Sequence, residues 1–204
     1  MNILVIGSGA REHSICWSIK KSKNCKKIFC VPGNAGISEI AICKKFDLEN
    51  KRNILNFCNK EKIDLVIIGP EQFLEDGVSD YLKSKDIAVF GPSKKASKLE
   101  TSKSFAKKFL KKNNINTADF HEFKSYESAK NFISSASFPI VIKADGLAAG
   151  KGVIICKNKE QAKDGLENIM KKKNSARQEI KLLLRSILKD MKSVSLLSLI
   201  KILF

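Results

Sequence analysis

The sequence predicts an α/β fold built on a parallel sheet, and three observations carry that reading. Short apolar runs recur at residues 2–6, 27–31, 63–68 and 87–90. Segments with helically spaced apolar residues follow the first three, at residues 12–20, 53–58 and 78–82. Turn residues close each run: Gly7, Pro32-Gly33-Asn34, Gly69-Pro70 and Gly91-Pro92.

Each element has its own reason. Residues 2–6 are apolar after Asn2 and stop at a glycine, the signature of a short buried strand. In residues 12–20, Ile15, Cys16 and Ile19 share one helical face. Residues 27–31 and 63–68 repeat the buried-strand pattern, and residues 87–90 give a fourth strand. Ile54 and Cys58 are four apart within residues 53–58, as are Val78 and Leu82 at the start of the next helix. Strands and helices that alternate in this way give a parallel sheet, whose ligands bind at the carboxyl ends of its strands.

The texture then changes. Residues 93–112 read as one basic helix with a polar face. Residues 138–143 and 152–156 read as strands joined by a glycine- and alanine-rich turn. That connection is too short for a crossover helix, so the pair is a hairpin. The expected organisation is a first domain over 1–95, a second over 96–180, and an atypical helical tail over 181–204, with no internal repeat.

Composition narrows the function classes. The 204 residues are 43% hydrophobic and 29% charged, which suits a globular chain. No run of about 18 apolar residues occurs, so no membrane span is expected. The first residues lack a basic region and a cleavage site, so a cytoplasmic monomer with reduced thiols is expected. The six cysteines fit no zinc spacing; Cys16 and Cys156 read as small core residues. Net charge is +17, rising from +5 over residues 1–100 (17 basic, 12 acidic) to +12 over residues 101–204 (21 basic, 9 acidic). Arg, the preferred reader of phosphate and guanine, occurs only at positions 11, 52, 177 and 185. The charge therefore reads as compositional drift, and no nucleic-acid or membrane partner is expected.

Three loops share one sheet edge. Gly7-Ser8-Gly9-Ala10-Arg11-Glu12-His13 begins like a dinucleotide fingerprint, but Glu12 stands at the third glycine position. A carboxylate there opposes a pyrophosphate, which sets NAD aside and leaves a loop suited to one phosphate beside Arg11. A plain strand-to-helix turn is the alternative. Pro32-Gly33-Asn34-Ala35-Gly36 and Gly69-Pro70-Glu71 bring Asn34 and Glu71 to the same edge. A small ligand with hydroxyls and a phosphate fits such a crevice. The fourth pattern runs over residues 139–153 and contains Lys143, Gly146, Ala148, Ala149, Gly150, Lys151 and Gly152. It lacks Walker spacing, yet a glycine hairpin flanked by lysines can cover a triphosphate.

Taken together, these stretches, with Phe90-Gly91-Pro92 and Ser102-Lys103-Ser104-Phe105, resemble the phosphoribosylamine–glycine ligases (glycinamide ribonucleotide synthetases) of the ATP-grasp superfamily. The resemblance holds in order as far as Gln178. It implies a Rossmann-like pre-ATP-grasp domain followed by an incomplete ATP-grasp domain. It also implies ATP-dependent ligation of glycine to 5-phosphoribosylamine, with ATP and Mg2+ as the cofactors. Carried over residue by residue, Gly9, Arg11, Glu12, Asn34 and Glu71 would hold the phosphoribosylamine. Lys103 and Lys143 would meet ATP phosphates, and Gly146, Ala148, Ala149, Gly150, Lys151 and Gly152 would cover them.

The pattern departs after Gln178. The family's Glu-Glu pair, adenine pocket and magnesium-holding Glu and Asn do not follow, so metal ligands and full activity are not expected of this chain. A segment Lys-Ile-Ile-Ile-Glu-Glu read one base late gives Lys-Leu-Leu-Leu-Arg and then Ser, which is the sequence of residues 181–186. A second segment, at residues 189–193, needs the same offset, so a frameshift near residues 179–180 accounts for both. The alternative is a native amphipathic tail, with Ile180, Leu183, Leu184, Ile187, Leu188 and Met191 on one helical face. Two further readings stay open: a phosphosugar-binding module without turnover, and a nucleic-acid or membrane-surface binder using residues 171–204, with 9 basic and 2 acidic side chains.

Overall fold

The structure, a computed structural model, describes residues 1–146, 153–173 and 182–186. The chain divides into two compact units, Met1–Thr101 and Ser102–Phe204, where the sequence reading sets the change near residue 95.

In the first unit the apolar runs form a five-stranded sheet. Its strands are β1 (Asn2–Gly7), β2 (Lys27–Pro32), β3 (Ile42–Cys43), β4 (Leu65–Ile68) and β5 (Val89–Phe90), in the spatial order β3-β2-β1-β4-β5. Every pairing is parallel, and Ile6 lies in register with Val31 on one side and Ile68 on the other. Between the strands run α1 (Ala10–Lys20), α2 (Ala35–Ser38), α3 (Lys51–Glu61), α4 (Glu71–Glu75) and α5 (Val78–Lys83), and α6 (Lys94–Thr101) follows β5.

Strand alternation divides the core into two layers, as a sheet covered on both faces requires. Leu4, Ile6, Phe29, Val31, Val66 and Ile68 pack with Ile54 and Cys58 of α3 and Leu82 of α5. Ile3, Val5, Ile28 and Cys30 pack on the other face with Cys16 of α1 and Ile37 of α2. Leu4 and Ile6 are fully buried, each stabilising the fold by about 1.5–3 kcal/mol. From β1 the chain builds outward to β3, then crosses back to add β4 and β5 on the opposite side. The order therefore reverses between β1 and β4, which opens a crevice at their carboxyl ends.

The second unit is smaller in sheet and antiparallel. Its elements are α7 (Lys103–Lys112), β6 (Phe120–Phe123), α8 (Tyr126–Ser135), β7 (Ile140–Ala144), β8 (Val153–Cys156), α9 (Lys159–Lys173) and β9 (Leu182–Ser186), with strand order β6-β9-β7-β8. The expected hairpin is present as β7 and β8, with Lys143 opposite Val153. Ile140, Ile142 and Ala144 of β7 pack with Cys156 against Ala129 and Ile133 of α8 and Ala162, Leu166 and Ile169 of α9. Cys16 and Cys156 are fully buried, as expected, and all six cysteines are free thiols.

Several expectations are corrected. The single helix over residues 93–112 is two helices, because Ser102 is extended (φ −124°, ψ 107°) and its side chain accepts from the Phe105 N–H to start α7. The helical tail is overturned for residues 182–186. They form β9, which pairs antiparallel with both β6 and β7. A short apolar run has no period of its own to choose helix over strand, and sheet pairing decides it here. The rest of that tail lies outside the described residues. The two-residue β3, the short α2 and α4, and the β6–α8 pair were not foreseen.

Candidate functional site

The crevice of the first unit is assembled by backbone ladders that overrun the strands. The Gly33 N–H donates to Gly7 O (3.1 Å), and the Gly69 N–H donates to Ile6 O (3.1 Å). The loops after β1, β2 and β4 are thereby tied together at the carboxyl edge. Gly33 takes φ +68°, a region that favours glycine.

Arg11 and Glu71 meet there across the reversal point. Arg11 Nη1 donates to Glu71 Oε1 (2.9 Å) and to Gly69 O (2.7 Å). The side chains are 59% and 33% exposed, so the pair borders solvent and contributes little to stability. The Glu71 carboxyl lies below the ordinary carboxylate range, chiefly through its own backbone N–H and then through Arg11, against the opposing effect of burial. Hydrogen bonding and charge from Glu71 hold the Arg11 guanidinium more firmly protonated.

Glu12 is placed differently from Arg11. It is 4% exposed, and its Oε2 accepts the Gly9 N–H at 2.6 Å, within the first turn of α1. A methyl group at Gly7 would meet Glu12 Cδ at 2.6 Å, and one at Gly69 would meet it at 2.7 Å. The carboxylate thus fills the room that Gly7 and Gly69 leave, where a dinucleotide fold keeps space for a pyrophosphate. Asn34 is tied by both ends of its amide: Oδ1 accepts from Ile37 N (2.9 Å) to cap α2, and Nδ2 donates to Ser8 O (2.7 Å). It joins the second loop to the first.

The second unit brings other predicted residues together. Lys103, the first residue of α7, donates from Nζ to Gly146 O at 2.8 Å. Lys143 lies on β7, out of phase with Ile140, Ile142 and Ala144, and so belongs to the face turned away from α8 and α9. On β8 the out-of-phase residues are Val153 and Ile155, 45% and 61% exposed, so this face offers an apolar floor beside a lysine. Ala148, Ala149, Gly150, Lys151 and Gly152 lie outside the described residues.

Asp145, Ser102 and Ser104 were missed as site residues. Asp145 accepts from Ser104 N (3.2 Å), from Ser104 Oγ and from Ser102 Oγ (3.3 Å). Burial opposes its charge, yet bonds from the Ser104 hydroxyl and the Ser104, Gly146 and Lys103 N–H groups outweigh that and hold its carboxyl below the ordinary range. The signal was available, since Ser-Lys-Ser before an apolar-periodic run is a helix start and Asp-Gly at a strand end is a turn.

Comparison with known proteins agrees with this architecture. The family described as phosphoribosylglycinamide synthetase matches in two parts, its N domain over residues 1–100 and its ATP-grasp (A) domain over residues 101–201. A phosphoribosylamine–glycine ligase of Clostridium acetobutylicum is 42% identical over 172 residues, covering 84% of this chain and 41% of that protein. The crystal structure of the phosphoribosylamine–glycine ligase of Thermotoga maritima superposes with a TM-score of 0.72 at 30% identity, covering 92% of this chain and 44% of that one. A biotin carboxylase of Campylobacter jejuni shares the fold at a TM-score of 0.73 and 18% identity, covering 93% of this chain and 45% of that one. The chain spans about two fifths of the length of such relatives. With both domain matches in order along nearly its whole length, the chain belongs to the phosphoribosylglycinamide synthetase family.

Proposed function

We propose that this chain supplies the phosphosugar crevice and one wall of the ATP site of a phosphoribosylamine–glycine ligase. In that reaction ATP phosphorylates the glycine carboxylate. The amine of 5-phosphoribosylamine then attacks the glycyl phosphate, giving glycinamide ribonucleotide, ADP and phosphate. The protein's task is to position the reactants and to neutralise charge on the transferring phosphoryl group.

In the first unit, Arg11 is the cation for the ribose phosphate, and Asn34 and Glu71 offer polar groups to its hydroxyls. Gly9 and Glu12 shape the start of the helix that carries Arg11. In the second unit, Lys103 and Lys143 meet ATP phosphates, with Gly146 opening a cover that continues through Ala148, Ala149, Gly150, Lys151 and Gly152. Val153 and Ile155 give the base an apolar surface. The observation that carries the reading is Arg11 at the sheet's reversal point, bridging the loops after β1 and β4.

The family implies Mg2+. Among the described residues no group of three or more His, Cys, Asp or Glu is placed to hold a metal ion. On the sequence's departure from the family pattern after Gln178, phosphosugar binding without turnover is proposed for residues 1–204 alone. Among the described residues no helix is long and apolar enough to cross a membrane. The proposed setting is a cytoplasmic monomer that acts on small molecules, without nucleic-acid or membrane partners.

Calorimetry with ribose 5-phosphate tests the crevice. Arg11→Ala should weaken binding by about tenfold or more, the weight of one charge-assisted bond. Equal affinity in wild type and variant removes Arg11 from the site. Assay of purified 1–204 should show no ADP that depends on both glycine and phosphoribosylamine. ADP dependent on both would show that the chain completes the reaction unaided.

A further inference from the structure

The start of α7 and the end of β7 are tied twice. Asp145 accepts from the backbone and hydroxyl of Ser104 and from the hydroxyl of Ser102. Between those serines stands Lys103, whose ammonium donates to the carbonyl of Gly146, the residue after Asp145. Ser104 is 3% exposed, so the tie has a buried anchor. Gly146 takes φ +86°, and among the described residues a methyl group built on it meets nothing within 4 Å. Its backbone conformation calls for glycine there.

This arrangement has two electrostatic consequences. A helix start with free N–H groups attracts phosphate, but here a carboxylate already takes the Ser104 N–H. A phosphate is turned away from α7's backbone and toward the Lys103 ammonium. The lysine would otherwise sample many rotamers. Serines clamped on both sides fix its origin, so part of the ordering that binding demands is complete before any ligand arrives.

We infer that Asp145 is a positioning residue for nucleotide phosphate, acting through Lys103 by clamping Ser102 and Ser104. The inference rests on the reading that the second unit takes ATP. Asp145 touches no ligand. It sets where the ammonium stands when a phosphate displaces it from the Gly146 carbonyl.

Equilibrium dialysis with ATP tests this on the full 204-residue chain as wild type, Asp145→Asn, Lys103→Met and the double variant. With Lys103 in place, Asp145→Asn should weaken ATP binding about tenfold, an ordinary coupling within one hydrogen-bond network. In the Lys103→Met background the same change should weaken it by less than about twofold, the limit of additivity. A general loosening of the fold would lower affinity equally in both backgrounds, and that result overturns the inference, as does no loss at all. Thermal unfolding of each variant identifies a folding failure. If Asp145→Asn does not fold, Ser104→Ala takes its place; its loss must also depend on Lys103, and independence overturns the inference. Wild type that binds no ATP removes the ATP reading itself, before any variant is compared.

Discussion

At the scale of single residues, the first unit's crevice is governed by one buried carboxylate. Glu12 takes the Gly9 N–H and lies against Gly7 and Gly69, so those glycines are spaces already in use. Gly69→Ala should therefore destabilise the chain by about 1–3 kcal/mol through overpacking. Urea unfolding would show it as a lower midpoint at constant slope, and an unchanged midpoint would mean that Glu12 can vacate the space freely. Arg11 behaves oppositely. Its pair with Glu71 is solvent-exposed, so Arg11→Ala should change stability at pH 7 by less than about 1 kcal/mol while it weakens the proposed phosphosugar binding. The folded-state Glu71 carboxyl lies below its unfolded value, so its contribution is present above the ordinary carboxylate range and is lost as pH falls through the depressed value. Arg11→Ala should flatten that part of the acid limb. An equal acid limb in both proteins would show that the backbone N–H alone holds Glu71.

At the scale of elements, legibility followed length and periodicity. β1, β2, β4 and α1 are apolar runs or spaced faces with turn residues at their ends, and such signals are local. β3 is two residues paired to β2, too short to carry a period. α4 begins at Glu71 after Gly69 and Pro70 close β4, and its apolar Phe73 and Leu74 join the core layer of Leu4 and Ile6 in a run too short to show a helical period. The break at Ser102 hid within a continuous basic run, since a cap is one residue's backbone angle rather than a change in composition. In the same way, the gathering of Arg11, Asn34 and Glu71 at one sheet edge was readable because they closely follow strand ends. The turn at Asp145 was equally local, but its pairing with Ser102 and Ser104 was not, because those partners lie some forty residues earlier in the chain. The cysteines test these placements independently. Cys16 on α1, Cys30 on β2, Cys58 on α3 and Cys156 on β8 are buried, whereas Cys25 and Cys43 are partly exposed. Burial pushes the Cys58 thiol up to about 11, which leaves little thiolate at neutral pH. Iodoacetamide on the native chain at pH 8 should label Cys25 and Cys43 first, and early labelling of Cys58 would dislodge α3 from the core. Mass spectrometry of the digest reads both.

At the scale of the whole molecule, the two units differ in how much each depends on distant sequence. The first closes its sheet within residues 1–101. The second places its latest strand, β9, between β6 and β7, so its sheet is joined through residues 182–186. By the resemblance, the family's Glu-Glu pair would fall at Arg185 and Ser186, at the end of this strand. We propose that a displaced reading frame lets both hold. Isoleucine codons rich in A and T become leucine codons when read one base late. In such a shift the run would stay apolar and keep its pairing with β7, whereas the glutamates that follow would be lost. Strand formation tolerates that exchange because it asks for apolar side chains and free backbone groups; nucleotide and metal binding ask for particular carboxylates. Sequencing the gene from codon 170 past codon 204 should reveal, one base away, an open frame with the Glu-Glu pair and then the magnesium-holding Glu and Asn. A chain rebuilt in that frame should bind ATP with Mg2+ and release ADP with glycine and phosphoribosylamine. If no frame continues the family pattern, the displaced frame is overturned and the leucine run is the native strand.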